Sequence, residues 1–500
     1  MDKKAAVWLA VIVLGTLAIR LLFAFSTPAF TYDSYFHLRQ VEAITETGFP
    51  RFQGELSYGG RDIRFLPFFH YVAAFFTLFL PLELVGKLLP NVLLALLPAV
   101  VYLIARGLTA SSPGSLFAAV VSGFLPVLFS PNAFSVNSLF LPLVALAIYA
   151  FLRIQEKKFL TLYLIAFLVL SVTSAATFLL LIGFGIYLLL SAIEHRKPSR
   201  AEIEVMVFSL FFFLWVQFLF FKNTLLEEGL AFVWQNVPPQ IVQHYFPQLS
   251  LFQSIVLVGI IPFLSGIVIT FKSIFQAKNK KMFILVSFVI ATTLLSWLRL
   301  IRFTLALAFF GIILAVLFAL FYDETKRYVL KTKLARFSSL LPWGALLLLI
   351  FSSGFPAIAA ASQQDLPTEQ EIEAFRWLQN NTPENSTVAA LVEEGHLITY
   401  YGQRKNVMDD QFARIPDIEK RFQDLNALYT TAFQTQALDI RGAYEIDYLI
   451  VTPQAVEKYS TPKYLSTTCF QRVYKNETKI YRIRCTLEET PELNASSPQT

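Results

Sequence analysis

Long apolar runs fill the first 360 positions, with short polar breaks between them. They fall at about 6–25, 84–105, 114–130, 137–152, 159–173, 174–193, 203–221, 251–271, 282–297, 303–321 and 338–357. A helix needs roughly 20 apolar residues to cross the hydrocarbon of a bilayer. The pattern predicts a polytopic α-helical membrane protein with about eleven spans. Leu66–Leu80 is also apolar, but it is short and carries Pro67 and His70. It is predicted to lie in the membrane interface rather than to cross.

Charge then sets orientation, because Lys and Arg collect on the cytoplasmic side of spans. With eleven spans and a cytoplasmic N-terminus, the inner loops hold Lys3 and Lys4, Arg106, Arg153 with Lys157 and Lys158, Arg196 to Arg200, Lys272 to Lys281, and Lys326 to Arg336. If 66–80 crossed, every later loop would change side and these clusters would fall outside. The tail after about 360 is therefore predicted to be extracytoplasmic, on a multi-pass protein of the cell membrane. Ala5–Phe25 follows Met1-Asp-Lys-Lys with no small-residue cleavage site and reads as a signal anchor. The net charge of +6 comes from residues flanking the spans, so it does not point to nucleic acid.

From 361 to 500 the pattern changes. Glu369–Gln379 reads as an amphipathic helix behind an N-capping Thr368. Thr387–Val392 and Asp447–Thr452 read as short buried strands, with helical stretches near 396–401 and 416–440. This alternation predicts a C-terminal extracytoplasmic α/β domain of about 120 residues, followed by a disordered tail, beside a membrane domain at 1–360. All four Asn-x-Ser/Thr sequons (Asn380, Asn385, Asn476, Asn494) lie here, as do both cysteines. Cys469 and Cys485 flank a hairpin that turns at Asn476-Glu477, which would set them nearly opposite one another for a disulfide.

The chemistry concentrates in the first external loop, 26–83. Asp33, His37 and Arg39 fall within seven residues, just after the first apolar run. The run Asp33-Ser-Tyr-Phe-His37-Leu-Arg39, then Gly48-Phe-Pro50, Tyr58-Gly-Gly-Arg61 and Leu66-Pro-Phe-Phe-His70-Tyr71 resembles the archaeal oligosaccharyltransferase catalytic subunit, within the C-type glycosyltransferases. The resemblance implies a polyprenyl-linked sugar donor, surrounding membrane lipids, and an external protein, lipid or glycan acceptor. It implies Asp33 as catalytic carboxylate or metal ligand, with His37 beside it. Arg299-Leu-Ile-Arg302-Phe303 resembles the family's Arg-Phe contact to the donor pyrophosphate, so Arg299, Arg302 and Arg39 are candidate donor-phosphate ligands. Leu391-Val-Glu393-Glu394-Gly395-His396 aligns with the family's acceptor-binding Trp-Trp-Asp-Tyr-Gly segment.

Three departures shape the expectation. Both indoles of the acceptor motif are missing, so recognition of a sequon is not expected. The family's second acidic motif should lie near 131–137, yet no Asp or Glu occurs between Glu83 and Glu156. The loop 222–250 has Asn236 where the family has Glu, with Glu227 and Glu228 nearby. A divalent cation, Mg or Mn, is implied by the family, but such an ion takes several oxygen ligands and Asp33 alone is short of them.

Three readings follow. One is a glycosyltransferase in which a single carboxylate acts as general base, with cations near the leaving phosphate. The second is an inactive paralogue that binds lipid-linked saccharide or a partner membrane protein. The third, a transporter, fits poorly: no internal repeat is visible, and the charge nearest midspan, Arg20, can snorkel outward.

Overall fold

A computed structural model describes residues 2–109, 111–229, 249–273, 280–412 and 414–487. The chain forms two compact units. The first holds 1–51 and 64–366 outside the undescribed stretches, and the second holds 52–63 and the chain from Pro367 onward.

The first unit is helical throughout its regular structure. Its elements are α1 (Lys3–Ala24), α2 (Ser34–Thr47), α3 (Phe68–Thr77), α4 (Leu82–Leu108), α5 (Ser112–Gly123), α6 (Asn137–Phe151), α7 (Lys157–Thr173), α8 (Phe178–Ile193), α9 (Arg200–Glu228), α10 (Leu251–Val258), α11 (Ile260–Lys272), α12 (Lys280–Trp297), α13 (Phe303–Leu330), α14 (Leu341–Leu349) and α15 (Phe355–Ser362). The most apolar of the long described helices is the central one: 78% of the most apolar stretch of α13 is buried. A helix apolar on all sides belongs in a core or a bilayer, and α13 packs against α4, α5, α11 and α12.

All eleven predicted segments are helical, but only some are long enough to cross unaided. Among the described residues, six helical stretches are long and apolar enough to cross a membrane, with α14 and α15 counted as the one stretch Leu341–Ser362, or seven if α10 and α11 form one span. The others fall short for a simple reason. At about 1.5 Å per residue, a helix such as α6 covers about 22 Å, less than the ~30 Å of hydrocarbon. The pair α10 and α11 is bent by 92°. Gly259 makes the bend with a φ of +89°, backbone that side-chain-bearing residues rarely adopt. A Cβ there would lie 2.5 Å from Ser353 Oγ, so the bend and the close approach both require glycine. The segment at 66–80 forms the ten-residue α3, too short to cross.

The second unit is a mixed five-stranded sheet with helices. It comprises α16 (Glu369–Asn381), β1 (Thr387–Ala389), β2 (Lys405–Asn406), α17 (Ile418–Thr430), α18 (Gln434–Tyr444), β3 (Ile446–Val451), α19 (Pro453–Tyr459), β4 (Phe470–Lys475) and β5 (Lys479–Ile483). Strand order is β2-β1-β3-β5-β4, with β2, β1 and β3 parallel and β5 and β4 antiparallel. The amphipathic pattern of α16 works as written. Thr368 and Glu371 form a reciprocal capping box, and Ile372, Ala374, Phe375 and Leu378 are buried. β1 keeps only three residues of the predicted strand 387–392, because the chain turns at Leu391–Glu394. Cys469 and Cys485 form a disulfide across the β4–β5 hairpin, with Cα atoms 5.1 Å apart. The predicted disordered tail and Asn494 lie outside the described residues.

The segment 52–63 completes this unit. Gln53 and Asp62 form an antiparallel bridge, and Ser57 bridges Asn406 in parallel, beside β2. Tyr58 N donates to Asn406 O at 2.9 Å, and Asn406 N donates to Leu56 O at 2.8 Å.

Candidate active site

Asp33 stands at the N-terminus of α2, half-buried. Thr31 Oγ1 donates to Asp33 Oδ1 at 2.7 Å, which fixes the carboxylate against its own loop. His37 follows one helical turn later, on the same side of α2. Its Nδ1 lies 2.9 Å from Nε2 of His70, on α3. His70 is fully buried; burial first, and the His37 charge second, hold its pKa well below the ordinary imidazole value. The pair thus keeps one neutral ring behind His37. Arg39 lies further along α2, half-buried.

The loop carrying Asp33 is held by a buried polar network that the sequence did not announce. Thr31 N donates to Asn132 O at 3.2 Å. Phe134 N donates to Ser34 Oγ at 2.9 Å. Lys87, buried on α4, donates from Nζ to Ala29 O and to Asn132 Oδ1, and Nζ sits 4.3 Å from the Phe30 ring centroid. Asn91 Nδ2 donates to Pro131 O at 2.8 Å. Arg20 donates to Asn91 Oδ1 at 3.0 Å and to Leu128 O at 2.9 Å. Arg20 therefore does not snorkel: it is buried, with Nε and Nη1 taken by Asn91 and a backbone carbonyl while Nη2 has no hydrogen-bond partner. The 131–137 loop, where a second acidic motif was sought, instead presents Asn132 to an ammonium.

Arg299 and Arg302 are exposed and lie on the turn between α12 and α13. Arg302 is the N-cap residue of α13, and Arg299 takes a left-handed backbone, φ 56°. Glu227 and Glu228 are the last two residues of α9, while Asn236 lies outside the described residues.

In the second unit the aligned segment turns inward. Glu393 pairs with Lys458 at 3.2 Å and stays partly exposed. Glu394, Gly395 and His396 are buried. Glu394 accepts hydrogen bonds from Leu391 N and Thr452 Oγ1, and burial pushes its pKa up to about 8. Gly395 has no room for a side chain: a Cβ would come 2.4 Å from Met408 O. His396 Nε2 lies 2.5 Å from Asp410 Oδ1, and its Nδ1 lies 3.9 Å from Asp409 Oδ2. Burial alone would lower the His396 pKa, but the two carboxylates outweigh it and raise it.

His396, Asp409 and Asp410 offer ligand atoms within 4.8 Å of one another, a candidate cluster for a divalent cation. Their imidazole and carboxylate donors suit such an ion. Arg61 Nη2, however, already lies 2.6 Å from both oxygens of Asp409. Among the described residues, Asp33 belongs to no such cluster.

No family profile matches the chain. A stretch of 137 residues is 34% identical to the dolichyl-phosphooligosaccharide-protein glycotransferase 2 of Archaeoglobus fulgidus, covering 25% of this chain and 23% of that relative. The fold is similar to that of the oligosaccharyltransferase AglB from the same organism, solved with an inhibitory peptide and a dolichol-phosphate. That match has a TM-score of 0.67 and 14% identity, and it covers 88% of this chain and 69% of the other. ArnT from Cupriavidus metallidurans matches with a TM-score of 0.60 and 11% identity, over 96% of this chain and 98% of its own. It has also been solved bound to undecaprenyl phosphate. At these identities the structural likeness concerns the fold, a polytopic helical membrane fold with a strand-containing C-terminal domain.

Residue patterns pointed to Asp33, His37 and Arg302. They did not point to Lys87, Asn91 and Asn132. The available signal was polarity inside apolar runs: Lys87 and Asn91 sit four apart within α4, where polar groups are costly unless they have a task.

Proposed function

We propose that the protein is a membrane glycosyltransferase that moves a sugar or oligosaccharide from a polyprenyl phosphate or pyrophosphate to an extracytoplasmic acceptor. The observation that carries this reading is the anchored Asp33 loop within a fold shared with AglB and ArnT, whose solved complexes hold polyprenyl phosphates. Asp33 is the general base toward the acceptor, and His37, backed by His70, sets its surroundings. Arg302, with Arg299 and Arg39, meets the donor phosphate. An anion at Arg302 would also gain from the N-terminus of α13. Eleven helical segments are read as spans, the shorter ones relying on neighbours for cover. The N-terminus is cytoplasmic and the domain after about 360 extracytoplasmic. Acceptor contact is assigned to the Glu393 side of that domain, with Glu394, Gly395 and His396 as buried support. Without the two indoles, sequon-directed transfer is not proposed.

A second reading, an inactive paralogue that binds lipid-linked saccharide, is favoured by one observation. The loop at 131–137 meets Lys87 rather than offering carboxylates. The test is transfer by purified protein in lipid from a crude pool of polyprenyl-linked sugars. Asp33→Asn should lower turnover by about 10²–10⁴-fold. Full turnover by that variant sinks the first reading. Absent transfer by the natural protein, with saturable donor binding that weakens on Arg302→Ala, selects the second.

A further inference from the structure

The second unit contains an open groove of about 510 Å³ that the proposed reaction does not use. It lies where β1 and β3 begin and β5 ends, and it is lined by Asn385, Arg441, Asp447, Tyr448, Arg482 and Arg484. The register explains the clustering. Tyr448 pairs with Val388 on one side and with Arg482 on the other, so β3 carries the floor between two walls. Arg482 and Arg484 are two apart, hence on one face, and both are exposed while Ile483 between them is buried. Arg441 reaches the groove from α18.

Three guanidinium groups line one groove, and among the described residues none is paired with a carboxylate. Arg441 Nε is buried without a hydrogen-bond partner, a costly state for a charged group. Asp447, the one carboxylate in the lining, uses Oδ2 to accept from Thr387 N at 3.1 Å. Guanidinium forks bind carboxylate or sulfate in pairs of hydrogen bonds, a carboxylate accepts from hydroxyls, and an aromatic edge such as Tyr448 adds an apolar surface. Anionic groups and hydroxyls on one small molecule describe an acidic sugar.

We infer that this groove binds an anionic saccharide, a glycan carrying carboxylate or sulfate groups. Its occupancy is independent of the transfer reaction, so it can be measured without turnover. Two sources can supply this ligand: a free glycan, or one attached to this chain, since Asn385-Ser-Thr387 is a sequon at the groove's rim.

The experiment is calorimetric titration of the full chain in detergent with tetragalacturonate, with neutral maltotetraose and inorganic sulfate as parallel probes. Tetragalacturonate is expected to bind saturably, maltotetraose not at all, and sulfate more weakly than the acidic sugar. Replacing the arginines together, Arg441→Gln with Arg482→Gln and Arg484→Gln, should weaken tetragalacturonate at least about tenfold, since charge-assisted hydrogen bonds are the strong ones. An unchanged melting temperature certifies that the variant is folded; a single Arg482→Gln serves if it is not. Three results overturn the inference: no binding by either the folded natural protein or its Asn385→Gln variant, equal binding by the arginine variant, or sulfate binding as tightly as the sugar. Protein from the native host, analysed by mass spectrometry at Asn385, separates the sources. A glycan there, with the probe binding only after Asn385→Gln, supports an occupant in cis; a bare Asn385 with direct binding supports a free one.

Discussion

Arg61 Nη2 lies 2.6 Å from both carboxylate oxygens of Asp409, across 348 residues of chain. Both side chains are almost wholly buried. Asp409 also accepts from Asn406 Nδ2 and Gln411 N, so its charge is fully ligated. Burial opposes that charge, yet the Arg61 guanidinium and the His396 ring hold the Asp409 pKa well below the usual carboxylate range.

Removing the guanidinium should therefore be severe. Arg61→Ala leaves a buried carboxylate without its cation, a change worth about 3–5 kcal/mol. The second unit of this variant is expected to unfold at markedly lower denaturant than the natural protein, read by protease sensitivity after Pro367. Asp409→Asn together with Arg61→Met should recover much of the loss, because no charge is then stranded.

The same unit should respond to pH in two directions. Asp409 has a depressed pKa, so its contribution is complete above the unfolded value of 3.8 and is lost as pH falls below it. Glu394 behaves oppositely. Its carboxyl titrates near 4.5 in the unfolded chain and about 8 when folded. Between those values the folded state holds the extra proton, so rising pH favours unfolding. His396, raised from 6.5, adds to the same decline. Glu394→Gln should flatten the fall in melting temperature between pH 4.5 and 8. A curve as steep as the natural one would show that Glu394 is not its source.

The β4–β5 hairpin offers a third test. The disulfide closes a loop with a sequence separation of 16. Chain-entropy arguments assign about 3 kcal/mol to a loop of this size. Cys469→Ser with Cys485→Ser should lower the stability of the second unit by about that amount, measured by denaturant titration, without affecting the helices of the first unit.

Lys87→Met probes the network behind Asp33. It leaves Ala29 O and Asn132 Oδ1 without their donor, at about 1–3 kcal/mol each. Transfer activity is expected to fall while donor binding at Arg302 is kept. If activity and donor affinity decline together, Lys87 serves the donor site and not the loop.

How much of this was legible follows from contact range. Local signals carried well: the capping Thr368, the apolar stripe of α16, the hairpin between two cysteines and the Asp33-to-His37 spacing all depend on neighbours within a few residues. Pairings across the chain did not carry. Nothing near Arg61 names Asp409, and nothing near Arg20 names Asn91, so a buried cation read as one that would snorkel. The acceptor-like segment at 393–396 was found by alignment, yet its burial depends on Thr452, Met408 and Asp410, which no local pattern joins to it. The 92° break at Gly259 was hidden because its apolar flanks look continuous.

The capture of 52–63 by the second unit bears on how this protein could be divided. A fragment starting at Pro367 would carry Asp409 stripped of its guanidinium and β2 stripped of its Ser57 neighbour. Supplied as a separate peptide, residues 52–63 would restore both, so the two pieces form a natural complementation pair whose reassembly reports on the integrity of that unit.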